Sequence, residues 1–268
     1  MSNGYVFFNP MSLGQGNTII YQAKSGGESN LCAKVAAKQT IDREAYIGSI
    51  VKGPCVLEIL KSFDIDQDIV VDGKIQRATI ITNFYHEIAS DLIYTFDLKN
   101  LEDQLISLIL CCLSSIYSFA KVNYCHCDIK PNNIAIDGNY KFILIDFGAA
   151  CKFDELITQQ TVGMSFDVLN NACIEYDLSC LAVTVVKLMY KNLDLRFSCW
   201  DNLFSRLDEF ERKGHHLVSI QMLKMLKVDP RADFKLRHFV PVWKSVYEYA
   251  DRQRDFVGKF DFLKKVIE

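Results

Sequence analysis

The chain reads His126-Cys127-Asp128-Ile129-Lys130-Pro131-Asn132-Asn133 and, after a short interval, Asp146-Phe147-Gly148. Between these two segments, short apolar runs at 133–136 and 142–145 predict the strands of a β-hairpin. Either segment alone is common by chance, and Asp128 would then be only a turn residue beside a buried strand. Both segments together, in this order and next to a predicted helix, disfavour that purely structural interpretation.

These residues resemble the catalytic loop H-R-D-L-x-x-x-N and the D-F-G motif of eukaryotic-type protein kinases. Asn133 lies five residues after Asp128, as in the family. The resemblance implies that Asp128 orients the acceptor hydroxyl and accepts its proton, while Asn133 and Asp146 hold Mg²⁺ at the phosphates of ATP. It also implies that Lys130 contacts the γ-phosphate and marks specificity for Ser or Thr.

Two segments near the N-terminus extend the resemblance. Leu13-Gly14-Gln15-Gly16 is similar to the start of a Gly-rich loop, and Leu31-Cys32-Ala33-Lys34 is similar to V-A-I-K. Glycine lacks a Cβ, so such a loop can approach phosphates closely. The resemblance places Gly14, Gln15 and Gly16 over the nucleotide and Lys34 at its α- and β-phosphates. The third glycine of the family pattern is missing, and G-x-G alone is also typical of a simple turn.

Glu44 is the candidate for the helical carboxylate that pairs with Lys34 in the family. Its predicted helix, 41–50, ends before Gly53-Pro54. Asp42 is the rival, and a solvated Glu on the helix face is the structural alternative. Farther along, Ile81 or Thr82 would neighbour the adenine ring, although core packing explains these residues equally well.

The distribution of periodic segments predicts an α+β chain with two lobes. Residues 1–85 contain short β-like runs and one helix, and they form the predicted β-rich N-lobe. Residues 86–268 form the predicted helical C-lobe, which carries the catalytic loop and D-F-G. Apolar residues recur at helical spacing in four segments of it, at 98–122, 176–190, 217–226 and 239–249.

The chain departs from the family pattern at two further places. Cys127 replaces the Arg that meets a phosphate on the activation loop, so we expect activity without phosphorylation of that loop. A-P-E is missing between Asp146 and Asp177, where 161–165 is a loose match to the substrate-facing V-G-T. Asp177 resembles the family's Asp that braces the catalytic loop, and an N-cap role is its alternative.

Composition and net charge limit the possible binding partners and cellular location. Half of the residues are hydrophobic, and the net charge is -3. That charge gives no support for binding to nucleic acid or to a membrane surface, and it is compatible with a basic protein partner. The N-terminus lacks the features of a signal peptide. The ten cysteines have no zinc-type spacing, so we expect reduced thiols and a cytoplasmic or nuclear location.

The sequence therefore predicts an ATP- and Mg²⁺-dependent kinase that acts on Ser or Thr of a protein substrate. A narrower resemblance is to casein-kinase-1-like kinases and to compact viral kinases such as the late protein kinase of baculoviruses. Two alternatives stay open at this point. One is a non-catalytic kinase-like module, and the other is a small-molecule kinase of similar fold.

Overall fold

The computed structural model describes residues 4–12, 18–71, 74–94, 98–137, 141–158, 161, 163–166, 171–214, 217–227, 235–253 and 263. Within these bounds the chain forms two compact units. The first consists of residues 1–52, 57–86 and 146–148. The second consists of residues 53–56, 87–145 and 149–268. The short segment 146–148 therefore belongs to the first unit, although its neighbours in the chain on both sides belong to the second.

The first unit is built on a five-stranded antiparallel sheet with the order β1-β2-β3-β5-β4. Its strands are β1 (Val6–Ser12), β2 (Ile19–Ser25), β3 (Glu28–Ala36), β4 (Ile59–Val71) and β5 (Lys74–Asn83). Gly26 and Gly27 connect β2 to β3 with φ values of 55° and 111°. Only glycine adopts such angles readily, so this turn sets the register of the hairpin.

Strand register separates the two faces of this sheet. Lys34 pairs with Ile80 and Cys32 pairs with Thr82, while the alternate pair Ala33 and Ile81 points to the opposite face. On that opposite face, four buried residues form an apolar cluster: Ala23, Leu31, Ala33 and Ile81. The alternation thus places Cys32, Lys34 and Thr82 on the face opposite this cluster.

Helix α1 (Lys38–Ile50) packs against the sheet of the same unit. Its buried residues are Ile41, Glu44, Ile47 and Gly48, which recur at the spacing of one helix face. Ile41 joins an apolar cluster with Ala36, Ala78 and Ile80. The face that buries Ile41 also carries Glu44, so the packing of α1 fixes where this carboxylate lies.

The second unit is mainly helical. Its helices are α2 (Leu98–Ala120), α3 (Ile174–Met189), α4 (Trp200–Arg212), α5 (Val218–Met225) and α6 (Leu236–Gln253). All sixteen residues of α3 are buried, which makes it the central helix of this unit. Leu101–Ala120 is long and apolar enough to cross a membrane, yet 83% of its most apolar window is buried inside the protein. Burial of this kind is typical of a core helix.

Short strands surround the loops of the second unit. β6 (Glu87–Ile88), β8 (Ile134–Asp137) and β9 (Lys141–Leu144) form one antiparallel sheet, in the order β6-β8-β9. β7 (Tyr124–Cys125) pairs with β10 (Cys151–Lys152), and Cys125 lies opposite Cys151. The strands β7 and β8 flank residues 126–133, which span the loop between them.

The structure adds detail that the sequence pattern did not predict. β4 runs without a break from Ile59 to Val71, with an irregular register between Asp64 and Ile69. Helix α4 was not predicted. Its buried residues are only Trp200, Leu203 and Leu207, among many charged side chains, so its apolar signal is weak.

A buried carboxylate on α2 holds the start of α5. Glu102 is 1% exposed and accepts hydrogen bonds from the backbone N–H and the hydroxyl of Ser219. We predict that Glu102→Ala lowers the free energy of unfolding by about 2–4 kcal/mol, because two buried donors lose their acceptor. Glu102→Gln keeps one carbonyl acceptor and should lose about half as much. Urea unfolding measures both, with the exposed helical variant Glu248→Ala as control. Equal stability of Glu102→Ala and this control would contradict the assignment.

Candidate active site

Lys34, Glu44 and Asp146 form one ionic cluster in the first unit. Lys34 Nζ lies 2.6 Å from Glu44 Oε1 and 2.7 Å from Asp146 Oδ1. Strand β3 presents Lys34 on the face opposite the apolar cluster, and the buried face of α1 presents Glu44. Asp42, the rival of Glu44, is exposed and lies 3.6 Å from Lys38 instead.

In this cluster, burial and the neighbouring charges shift the pKa values of Lys34 and Glu44 in opposite directions. Burial by itself lowers the pKa of Lys34, but the carboxylates of Glu44 and Asp146 outweigh it, and the net direction is upward. The ammonium therefore stays protonated at neutral pH. Burial raises the pKa of Glu44, and the neighbouring Lys34 counteracts this rise. Removal of Lys34 would leave Glu44 as an unpaired buried charge.

Asp146 is held in an uncommon backbone conformation, with φ at 65°. Its Oδ1 accepts a hydrogen bond of 3.3 Å from the backbone N–H of Gly148, and the intervening Phe147 is 1% exposed. Non-glycine residues with positive φ are concentrated at functional sites, where the surroundings hold the strain. The Asp146 side chain is 41% exposed, so it remains accessible to a ligand.

Asp128 is the centre of a hydrogen-bonded cluster in the second unit. Lys130 Nζ lies 2.7 Å from its Oδ2, and Asn133 Nδ2 donates to the same oxygen at 2.8 Å. Thr161 Oγ1 donates to Oδ1 at 2.6 Å and accepts from Lys130 Nζ at 2.8 Å. Both carboxylate oxygens are therefore oriented, and the structure brings Asp128, Lys130 and Asn133 together.

Thr161 was not among the predicted site residues. The sequence pattern assigns 161–165 only to a substrate-facing segment. A hydroxyl two residues before Gly163 gives no periodic or compositional signal. Only the fold shows that its oxygen reaches Asp128, 33 residues earlier in the chain.

Two side chains of α3 hold the backbone of the loop 126–133 by hydrogen bonds. Asp177 Oδ2 accepts the N–H of His126 at 2.8 Å, and Oδ1 accepts the N–H of Cys127 at 2.9 Å. Thr184 Oγ1 donates to the carbonyl of Ile129 at 3.3 Å. Cys173, and not Asp177, occupies the N-cap position of α3. The N-cap interpretation of Asp177 is therefore wrong, and its side chain contacts the loop instead.

Cys127 lies in a group of thiols at the position where the kinase pattern has Arg. Its φ is 64°, and its side chain hydrogen-bonds with Cys125 and with Cys151, which follows the D-F-G segment. The hydrogen bond to Cys125 and burial both raise the pKa of Cys127. The thiol is thus neutral. Cys127 therefore makes neutral hydrogen bonds at the position where the Arg of the kinase pattern makes a charge-assisted one.

The remaining predicted residues belong to the candidate Gly-rich loop and to strand β5. Gly14, Gln15 and Gly16 lie outside the described residues. Thr82 shares the sheet face of Lys34, whereas Ile81 belongs to the apolar cluster on the other face. Cys32 was not selected from the sequence. It lies on the same face of the sheet as Lys34, opposite Thr82, and hydrogen-bonds with Thr82.

The residues assigned to Mg²⁺ fit that ion in type. Asn133 directs its Nδ2 to Asp128, which leaves its Oδ1 as an amide oxygen, and Asp146 supplies an accessible carboxylate. Mg²⁺ prefers such oxygen ligands and takes few of them from the protein when phosphates supply the rest. Within the described part of the chain, no three His, Cys, Asp or Glu residues are grouped to hold a metal alone.

Two comparisons with known proteins found similarity to kinase-like domains. Residues 70–175 match the family model "ABC1 atypical kinase-like domain", a segment that includes Asp128, Asn133 and Asp146. No curated protein matches the sequence. A solved structure described as "ROP18 kinase domain in complex with AMP-PNP and sucrose" is similar with a TM-score of 0.70 and 14% identity. The alignment covers 93% of this chain and 81% of that one.

The fold class follows from these observations. The chain has a β-rich N-terminal part with one helix and a helical C-terminal part. At 14% identity the likeness establishes the fold and leaves the activity to the site residues. The chain therefore has an α+β, protein-kinase-like fold.

The Asp177 carboxylate gives the protein a specific dependence on pH. Burial raises its pKa from 3.8 to about 7, against the lowering effect of the two backbone N–H groups. Between these values the folded state binds one proton more than the unfolded state, so stability falls as pH rises. We predict that the unfolding free energy of the wild type, relative to Asp177→Asn, decreases from pH 4 to pH 8. Urea titrations at several pH values measure this difference, and a constant difference would contradict the burial argument.

The Lys34 cluster predicts a non-additive pair of substitutions. Lys34→Met leaves Glu44 buried without its cation, and we expect a loss of about 3 kcal/mol in unfolding free energy. Lys34→Met combined with Glu44→Leu removes the unpaired charge and should recover most of this loss. Chemical unfolding of the single and double variants tests the coupling. Additive effects would show that Lys34 and Glu44 do not stabilise each other.

Proposed function

We propose that this chain is an ATP-dependent Ser/Thr protein kinase. The observation that carries the proposal is the cluster in which Lys130, Asn133 and Thr161 together orient both oxygens of Asp128. A loop Asp in a merely structural turn would not require three side chains to fix its carboxylate. The Lys34–Glu44–Asp146 cluster supports the same activity, because it combines a retained cation with an accessible carboxylate.

Each residue has a defined task in phosphoryl transfer. Asp128 would accept a hydrogen bond from the acceptor hydroxyl and take its proton, since neighbouring side chains hold its carboxylate in one orientation. Lys130 would stabilise charge on the γ-phosphoryl group, and Lys34 would bind the α- and β-phosphates. Mg²⁺, held by Asn133 and Asp146, would supply neutralisation of the phosphate charge.

The specificity for Ser and Thr is supported by the contact between Lys130 and Thr161. This contact fixes the ammonium beside Asp128, where the γ-phosphate and a short aliphatic hydroxyl would meet. We propose a protein substrate inside the cell, in the cytoplasm or nucleus, with a basic protein as one candidate. The lack of A-P-E supports a place among compact kinases of the casein-kinase-1-like or viral kind.

Independence from activation-loop phosphorylation forms part of the proposal. Lys34, Glu44 and Asp146 are already in ion-pair contact, and Cys127 cannot bind a phosphate through a charge-assisted hydrogen bond. We predict that phosphatase-treated protein transfers phosphate at the same rate as untreated protein. The initial rate with radiolabelled ATP measures this. A drop of tenfold or more after treatment would contradict the expectation.

A non-catalytic kinase-like module is the second candidate function. The match of residues 70–175 to an atypical kinase-like family favours it, because that match does not indicate a typical Ser/Thr kinase. The similar solved structure is a complex with AMP-PNP, which supports nucleotide binding for either candidate. The two candidates therefore differ in transfer and not in binding.

The decisive experiment incubates the protein with Mg-ATP and a panel of acidic and basic proteins. We expect transfer to Ser or Thr that Asp128→Asn reduces by about 10²–10⁴-fold, the range typical of a lost general base. Asp137→Asn, at an exposed strand end in the same unit, is the matched control. ATP-dependent thermal stabilisation without any transfer would favour the non-catalytic module. Transfer only to small metabolites would indicate a small-molecule kinase.

A further inference from the structure

The segment that contains Thr161 is fixed beside Asp128 and is anchored at several points. Thr161 donates to the Asp128 carboxylate, and the N–H of Met164 returns to the carbonyl of Thr161 at 3.1 Å. Ser165 hydrogen-bonds with Tyr176 of α3, and the Phe166 ring lies 5.1 Å from that of Trp200. A peptide whose hydroxyl reaches Asp128 must therefore pass close to this rigid segment.

Arg196 lies directly against the turn of this segment. A Cβ added to Gly163 would lie 3.2 Å from Arg196 Cγ and 3.6 Å from Arg196 Nε. Gly163 also has φ at 75°, so both the backbone angle and the arginine stem require glycine there. The stem thus packs on the segment two residues beyond Thr161, while the residue as a whole is exposed.

A second cation, Lys187, contacts the segment that contains Thr161 and Gly163. Lys187 on α3 is 3% exposed, and its Nζ lies 2.7 Å from the carbonyl of Leu193 and 3.3 Å from Met164 Sδ. It is close enough to Arg196 for the two charges to repel each other, and Asp194 is the acidic group that faces it. Among the described residues, no carboxylate forms an ion pair with Arg196. The guanidinium is therefore exposed in a locally positive environment.

We infer that Arg196 is a specificity-determining residue that binds an anionic group of the substrate next to the acceptor hydroxyl. This inference rests on the proposed function. A guanidinium binds a carboxylate or a phosphate through two parallel hydrogen bonds, so an Asp or Glu side chain or a phosphorylated residue fits. Lys187 fixes the loop that carries Arg196 through the carbonyl of Leu193 and adds to the local positive charge. A basic substrate protein remains compatible, because only one flanking position is selected.

The test uses peptides with one Ser in an alanine background. Each position from three before to three after the Ser carries Ala, Asp, phosphoserine or Lys in turn. We expect one position where Asp or phosphoserine raises kcat/KM over Ala by about tenfold, as one charge-assisted contact predicts. The Asp and phosphoserine arms distinguish a carboxylate from a phosphate as the preferred group.

Variants assign that preference to the residue. In Arg196→Ala the ratio between the acidic and the alanine peptide should fall to about one, and in Arg196→Glu the preferred residue should become Lys. Arg206→Ala is the matched control, since this exposed Arg on α4 pairs with Glu209 of its own helix. An acidic preference that survives in Arg196→Ala, or its absence in the wild type, would overturn the inference.

A binding measurement separates this inference from the proposed function. Fluorescence polarisation reports the affinity of labelled acidic, alanine and lysine peptides for the wild type and for Asp128→Asn. Preferential binding of the acidic peptide that Arg196→Ala abolishes, without any phosphate transfer, would support the inference and contradict catalysis. Transfer without any charge preference in binding or turnover would support catalysis and contradict the role of Arg196.

Discussion

The site of this protein depends on one buried carboxylate. Asp177 lies on a helix with no exposed residues, and its two oxygens hold the backbone N–H groups of His126 and Cys127. A buried carboxylate is unfavourable unless donors compensate it, and here the donors belong to the loop that carries Asp128. The same interaction thus satisfies the charge and fixes the loop, so the position of Asp128 follows from the packing of α3.

Neutral contacts replace charged ones around this loop. Cys127 contacts two other thiols, and Cys151 comes from the strand that pairs with β7. Burial raises the pKa of Cys125 to about 12, although its hydrogen bond with Cys127 acts in the opposite direction, so this thiol carries no charge to be balanced. In the kinase pattern an Arg at this position needs an anion, and the substitution removes that need. Neutral contacts between β7 and β10 thus link the loop 126–133 to the segment that follows Asp146-Phe147-Gly148.

Sequence reasoning identified much of this arrangement because short motifs with fixed spacing carry it. Lys34, Glu44, Asp128, Asn133, Asp146 and Asp177 were selected from local patterns, and the structure groups them into two clusters. Thr161 and Cys32 were missed because their importance depends on contacts across long separations in sequence or between strands. Helix α4 was missed because apolar residues are few among its charged side chains, although its three buried residues recur at helical spacing. The N-cap alternative for Asp177 failed because a Cys side chain can also accept a backbone N–H.

The buried charged residues of this protein differ from the accessible ones in what compensates their charge. Glu44, Glu102, Asp177 and Lys187 are almost fully buried, and each contacts a donor or acceptor that offsets its desolvation. These residues cannot respond to a ligand without loss of stability. Asp146 and Arg196 are different, because both are accessible to solvent, although Lys34 already pairs with Asp146. Accessible charge beside a fixed framework is the arrangement that recognition requires, since a binding partner can then add to the compensation that the fold supplies.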